Sequence, residues 1–146
     1  MTKTMFSVLA AGLVLGLGTG IASAQDKATK SNFERKASKV NQDARKPGMM
    51  KVALHTISVE TGVPQERIEA MHKDNPEAGP AGILIASVMA DETKLPPERF
   101  LKSHLDGHDW DLIARKNNVP LEKVNERLDH LQRSLNTPEK VKAKRR

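Results

Sequence analysis

The sequence has no cysteine and few aromatic residues, and these absences remove several classes of function. Without cysteine, the 146-residue chain cannot form a disulfide framework, a thiolate metal site, a cysteine nucleophile or a lipidated N-terminal cysteine. Beyond residue 24, its only Phe, Tyr or Trp residues are Phe33, Phe100 and Trp110. So few rings argue against a carbohydrate-binding platform or a stacking surface for single-stranded nucleic acid. The length allows one domain of ordinary size.

The chain also lacks the sequence motifs of common enzymes. It has no Gly-rich phosphate loop, Walker sequence, HExxH pair or GxSxG elbow. Carboxylate pairs such as Glu66 and Glu69 have the spacing of a solvated helix face, not of an acid–base dyad. His104 and His108 could form a metal pair, but Gly107 is expected to interrupt the helix that this geometry needs. The sequence therefore predicts a protein that is not an enzyme, with no catalytic residue, metal site or cofactor.

The N-terminus has the pattern of a secretory signal. Lys3 is followed by an apolar run, Phe6 to Ala22, and by the cleavage pattern Ala22-Ser23-Ala24. Residues 1–24 are therefore predicted to be removed, so that the mature chain begins at Gln25 and is periplasmic or secreted. The alternative is an uncleaved membrane anchor, but the apolar run is barely long enough to span a bilayer.

Charge is divided unevenly along the rest of the chain. Residues 25–51 carry eight basic and three acidic residues, whereas residues 52–138 carry ten basic and fourteen acidic ones. The composition of residues 25–48 predicts a basic, poorly ordered arm. Within it, one thin apolar stripe could fold on a membrane or a partner: Phe33, Ala37, Val40 and Ala44.

A second basic segment, residues 137–146, is predicted to be a flexible tail. Polyanion contact is assigned to its basic residues: Lys140, Lys142, Lys144, Arg145 and Arg146. Binding to any polyanion is expected to depend on the two arms and to weaken steeply with salt.

Between the arms, residues 49–136 contain an internal repeat. Three segments share the order aliphatic, Pro, any residue, Glu, basic, apolar: Val63–Ile68, Leu95–Phe100 and Val119–Val124. Pro and Glu in this order mark a helix start, and Gly62, Lys94 and Asn118 are placed to end the preceding helices. Repeats of this length indicate stacked helical units.

The sequence thus predicts an all-α fold of three tandem helix-turn-helix-like units in one compact orthogonal bundle, flanked by flexible basic arms. The predicted helices are 49–60, 64–74, 81–93, 97–106, 109–117 and 120–135. The third is expected to be the buried central helix, and Trp110 is expected to be buried near Ile113 and Val124. Residues 49–136 are expected to fold without the arms.

The last predicted helix carries a two-heptad apolar seam: Leu121, Val124, Leu128, Leu131 and Leu135. Packing on the protein's own core is the favoured interpretation. A homodimer formed through these residues is the alternative.

Residues 107–114 (GHDWDLIA), followed by residues 118–124 (NVPLEKV), resemble a pattern in small exported bacterial proteins of unknown function. The resemblance covers roughly residues 58–130 and implies an architecture but no activity. The same segment is similar to the helix-turn-helix of transcription regulators. The favoured function is an exported, non-catalytic module that binds a protein or an envelope surface. The alternatives are nonspecific polyanion or nucleic-acid binding through the arms, and a DNA-binding helix-turn-helix protein.

Overall fold

The structure is a computed structural model that describes the backbone of residues 22–137 and the side chains of residues 32–137. The predicted signal sequence, apart from its last three residues, and the predicted polyanion-binding residues of the tail lie outside this range. The described chain forms seven helices and no strand: α1 (Ala22–Ala44), α2 (Met49–Thr61), α3 (Gln65–Asp74), α4 (Gly79–Thr93), α5 (Pro97–Leu105), α6 (Trp110–Lys116) and α7 (Leu121–Asn136). These helices surround one hydrophobic core, which confirms the all-α prediction.

The three predicted helix-turn-helix units are present as α2–α3, α4–α5 and α6–α7. Each turn contains one residue in the left-handed region, namely Gly62 (φ 70°), Lys94 (φ 60°) and Asn118 (φ 54°). The amide of Gly62 donates to the Ser58 carbonyl at 2.9 Å, and that of Lys94 donates to the Ala90 carbonyl at 2.8 Å. A proline then stands at the N-cap of each second helix: Pro64, Pro96 and Pro120. Local sequence rules therefore account for all three turns.

Helix α4 is the centre of the molecule, as predicted. Its residues from Gly79 to Met89 are all buried, and it packs against α1, α2, α3, α5 and α7. It begins two residues earlier than predicted, because Pro80 fits the first turn of a helix. The Asn41 side chain of α1 accepts a hydrogen bond from the Ala81 amide at 2.8 Å and donates one to the Ala78 carbonyl at 3.2 Å.

Helix α1 corrects the prediction that residues 25–48 form a poorly ordered arm. Its apolar stripe, Phe33, Ala37, Val40 and Ala44, is at most 6% exposed. The compositional argument failed because most of the apolar surface that holds α1 is supplied by α4 and α7, against which it packs. The helical domain therefore begins before residue 49.

The seam of α7 is covered by the protein's own core. Val124, Leu128 and Leu131 are fully buried, Leu135 is 5% exposed and Leu121 is partly buried against the core. The favoured interpretation of this stripe is confirmed. A homodimer through these five residues is incompatible with this packing, because α1, α2 and α4 already occupy the positions that a partner would need.

Asp43 joins the C-terminal end of α1 to α7. Its carboxylate accepts hydrogen bonds from Lys46 Nζ at 2.7 Å and from Gln132 Nε2 at 2.6 Å. The bond from Lys46, followed by that from Gln132, holds the pKa of Asp43 below its ordinary value of 3.8. A carboxyl group with a lowered pKa stabilises the folded state while it is ionised.

We expect acid to weaken this junction. The contribution of Asp43 is complete above its pKa in the unfolded chain, near 3.8, and is lost as the pH falls through the lower folded value. Asp43→Asn should therefore be less stable than the wild type at neutral pH, with a difference that shrinks below about pH 4. Urea unfolding across this pH range measures it, with the exposed Asp106→Asn as the control. An equal deficit of Asp43→Asn at acidic and neutral pH would contradict this assignment.

Candidate functional site

A groove lies between the first two repeat turns, and we call it the turn groove. One wall is the α2–α3 turn, with Val63 and Pro64, and the other is the α4–α5 turn, with Leu95 and Pro96. The floor is Ala90 of α4. The groove has a volume of about 520 Å³, and its walls are mostly apolar. This size lies within the range of ligand-binding clefts.

The two walls are built by the same local hydrogen bonds. Thr61 Oγ1 donates to the Ile57 carbonyl and Thr93 Oγ1 donates to the Met89 carbonyl, each at 2.7 Å. Each hydroxyl also accepts a weaker bond from the backbone amide two residues later, at 3.4 Å and 3.3 Å. These bonds tie each turn to the end of its preceding helix, so the groove has fixed walls.

A charged cleft of about 390 Å³ continues the turn groove towards α7. The two share Thr61, Ser87 and Asp91 as lining residues, so they form one continuous depression along α4. In the charged cleft, Lys123 Nζ lies 2.9 Å from Glu92 Oε1, and Arg127 Nη1 lies 2.6 Å from Glu60 Oε2. Glu60 of α2 and Glu92 of α4 thus each pair with a basic residue of α7.

Several polar side chains of this depression bond within the protein. The Ser87 hydroxyl donates to the Ile83 carbonyl at 2.8 Å. His130 lies 3.6 Å from Glu60, whose carboxylate also pairs with Arg127. An apolar channel with a charged end can hold a ligand by shape, burial of apolar surface and a few directed polar contacts.

A second cleft, of about 460 Å³, lies where α1 meets the start of α4 and α6. Its lining includes Glu34, Asn41, Arg45, His104 and Trp110. Trp110 is 2% exposed, which confirms its predicted burial, and its ring stacks on His104 at 4.2 Å with an interplanar angle of 18°. Glu34 and Asn41 act as caps, since Glu34 Oε1 accepts the Trp110 amide at 3.2 Å and Asn41 accepts the Ala81 amide. Most of the polar atoms here therefore have structural roles.

The histidine pair considered in the sequence has backbone partners. His104 Nδ1 lies 3.0 Å from the His108 carbonyl, and His108 Nδ1 lies 3.0 Å from the Ser103 carbonyl, so each ring donates a hydrogen bond to the backbone. Gly107, with φ 98°, lies in the turn that follows α5. Among residues 32–137, no group of three or more His, Asp or Glu side chains is arranged to hold a metal ion.

A DNA-binding helix-turn-helix protein would use the second helix of a unit, such as α3 or α7, for recognition, and three of the five Lys and Arg residues of these two helices lie in ion pairs. In α7, Lys123 and Arg127 pair with Glu92 and Glu60, and in α3, Arg67 Nη2 lies 3.2 Å from Glu98 Oε1. A recognition helix needs such side chains free for base edges and phosphates.

Sequence analysis identified the residues of the turn groove but not the groove. The sequence pattern interprets Val63, Pro64, Leu95 and Pro96 only as parts of helix starts. A signal for the groove was available, because both turns carry partly exposed apolar residues beside prolines. No sequence signal indicated that Asn41 or Glu34 caps a distant helix.

Within the described part of the chain, no helix has the length and apolar character needed to cross a bilayer. Comparison of the sequence and structure with protein-family models, curated proteins and solved structures found no match.

Proposed function

We propose that the protein is an exported, non-catalytic helical module that binds an extended segment of another protein in the turn groove. The observation that carries this proposal is the pair of partly exposed apolar turns, around Val63-Pro64 and Leu95-Pro96, which face each other over Ala90. Few large apolar side chains elsewhere in residues 32–137 are exposed, the clear cases being Val59 (68%) and Leu105 (41%). The turn groove is thus an apolar depression open to a partner.

An extended peptide matches this groove in chemistry. Apolar side chains of the peptide would lie between the prolines, where water is displaced from carbon surface on both sides. The charged cleft at one end would receive a polar or charged continuation of the same peptide. Proline-lined walls are rigid, so little conformational entropy is lost from the protein on binding.

The experiment selects peptides and then locates them. A library of random extended peptides is selected against the wild-type chain, and the bound peptides are titrated into labelled protein by nuclear magnetic resonance. Shifts should concentrate in the α2–α3 and α4–α5 turns. Ala90→Trp fills the floor of the groove and should weaken the selected peptides at least tenfold.

Two further variants make the result interpretable. Val59→Trp places the same ring at an exposed site on α2 and should leave binding unchanged. The double variant Arg67→Glu, Lys94→Glu changes the charge at the rim of the groove without filling it. It replaces Ala90→Trp as the test of the groove if Ala90→Trp fails to fold. Equal binding by wild-type, filled and rim variants, or shifts located elsewhere, would refute the groove as the binding site.

Export is the second part of the proposal, and it is supported by the sequence pattern from Lys3 to Ala24. The first buried side chain of the described domain is Phe33, so removal of residues 1–24 would leave every described buried residue in place. Intact-mass analysis of protein recovered outside the cytoplasm tests this. A mass that retains residues 1–24 would refute cleavage after Ala24.

A further inference from the structure

The solvent side of the described part of α1 and of the turn after it, residues 32–48, carries exposed cations and no fully exposed acidic residue. Its exposed cations include Arg35, Lys39 and Arg45, which we call the basic face. The acidic residues of this segment point elsewhere, since Glu34 accepts the Trp110 amide and Asp43 is 8% exposed between Lys46 and Gln132.

The basic face is held rigidly. The opposite side of α1 carries Phe33 and Val40, which are at most 2% exposed. Arg35 and Lys39 are one helical turn apart on α1, and Arg45 lies in the turn that follows the end of this helix at Ala44. The three cations therefore belong to the folded domain and not to a disordered arm.

The rest of the domain has the opposite charge. Residues 52–138 carry fourteen acidic and ten basic residues. A negatively charged surface would therefore attract the basic face and repel the net acidic segment of residues 52–138.

We propose that the basic face docks the protein on a bilayer surface rich in anionic phospholipid headgroups. The predicted export would carry the chain across a membrane, so an anionic headgroup surface is one that the mature protein would meet. The exposed side chains from Asn32 to Lys46 include no large apolar residue. Docking is therefore electrostatic and at the surface, without insertion.

Lipid is favoured over nucleic acid for two reasons. The predicted export pathway brings the chain to a membrane, and the candidate recognition helices α3 and α7 have most of their cations in ion pairs. This inference is independent of the turn groove, because none of the three cations lines it.

The test measures sedimentation with vesicles. The chain from Gln25 to Arg146 is used, so that the apolar run cannot bind lipid, with vesicles of phosphatidylglycerol and phosphatidylcholine or of phosphatidylcholine alone. Each Lys or Arg near an anionic bilayer strengthens binding about fivefold. The triple variant Arg35→Gln, Lys39→Gln, Arg45→Gln should therefore bind the anionic vesicles about a hundredfold more weakly.

A matched triple variant controls for net charge. Lys73→Gln, Arg99→Gln and Lys116→Gln remove three exposed cations from α3, α5 and α6. This variant should bind as the wild type does, and none of the proteins should sediment with neutral vesicles. Circular dichroism confirms that each is folded. Wild-type binding by the basic-face variant, an equal loss in both variants, or tighter binding of the wild type to a DNA duplex at the same salt would each overturn the proposal.

Discussion

Trp110→Ala is expected to lower the free energy of unfolding by about 3–5 kcal/mol. The ring is 2% exposed and stacks on His104 at 4.2 Å, so its removal leaves a cavity and deprives the imidazole of its partner. The hydrogen bond from the Trp110 amide to Glu34 belongs to the backbone and should persist. The loss therefore reports on packing of the indole ring and not on capping of α6.

Urea unfolding followed by far-ultraviolet circular dichroism measures this effect, because the variant has no tryptophan fluorescence. Trp110→Phe keeps an aromatic ring and should lose less than Trp110→Ala. Leu105→Ala, at a side chain that is 41% exposed, serves as the control. A loss below about 1 kcal/mol for Trp110→Ala would show that the ring contributes little to the core.

Removal of α1 is expected to abolish cooperative folding of the rest of the domain. A chain of residues 49–137 would expose the faces of α4 and α7 that Phe33 and Val40 cover. Phe33→Ala alone should cost about 3–5 kcal/mol, a large part of the about 5–15 kcal/mol that stabilises an ordinary domain. This result would reverse the expectation from the sequence, in which residues 49–136 fold alone.

Denaturant unfolding of three proteins tests the role of α1. The chain from Gln25, which keeps the packed part of α1, should unfold in one transition, whereas residues 49–137 should show no sharp transition. Arg35→Ala, on the exposed side of the same helix, should change stability by less than about 0.5 kcal/mol. A cooperative transition of residues 49–137 with the stability of the longer chain would show that α1 is dispensable.

The sequence by itself determined the three helix-turn-helix units. The second helix of each unit begins at a proline N-cap and follows a residue in the left-handed region, Gly62, Lys94 or Asn118, and these preferences act over a few neighbouring residues. The burial of Trp110 and of α4 was also predictable, because their apolar character is high enough to indicate the core without knowledge of a partner.

The tertiary structure alone decided the place of α1. Its apolar stripe is thin, and the residues that cover it lie far along the chain; the Asp43–Gln132 hydrogen bond spans 89 residues. The composition of residues 25–48 reports only the apolar surface of that segment. It does not include the apolar surface that α4 and α7 provide, so composition alone predicts an arm. The same limit applies to Asn41, which reaches the start of α4 forty residues away.

The turn groove has the same origin. Each turn follows from its own local sequence, but the groove exists only because packing on α4 brings two turns, 32 residues apart, to face each other. The basic face likewise needs α1 to be a helix with one side buried, which leaves Arg35 and Lys39 one turn apart on the exposed side. Local conformational preferences determined the helices and turns. The turn groove and the basic face arose from contacts between distant segments, and the energies of such contacts cannot be read from a short stretch of sequence.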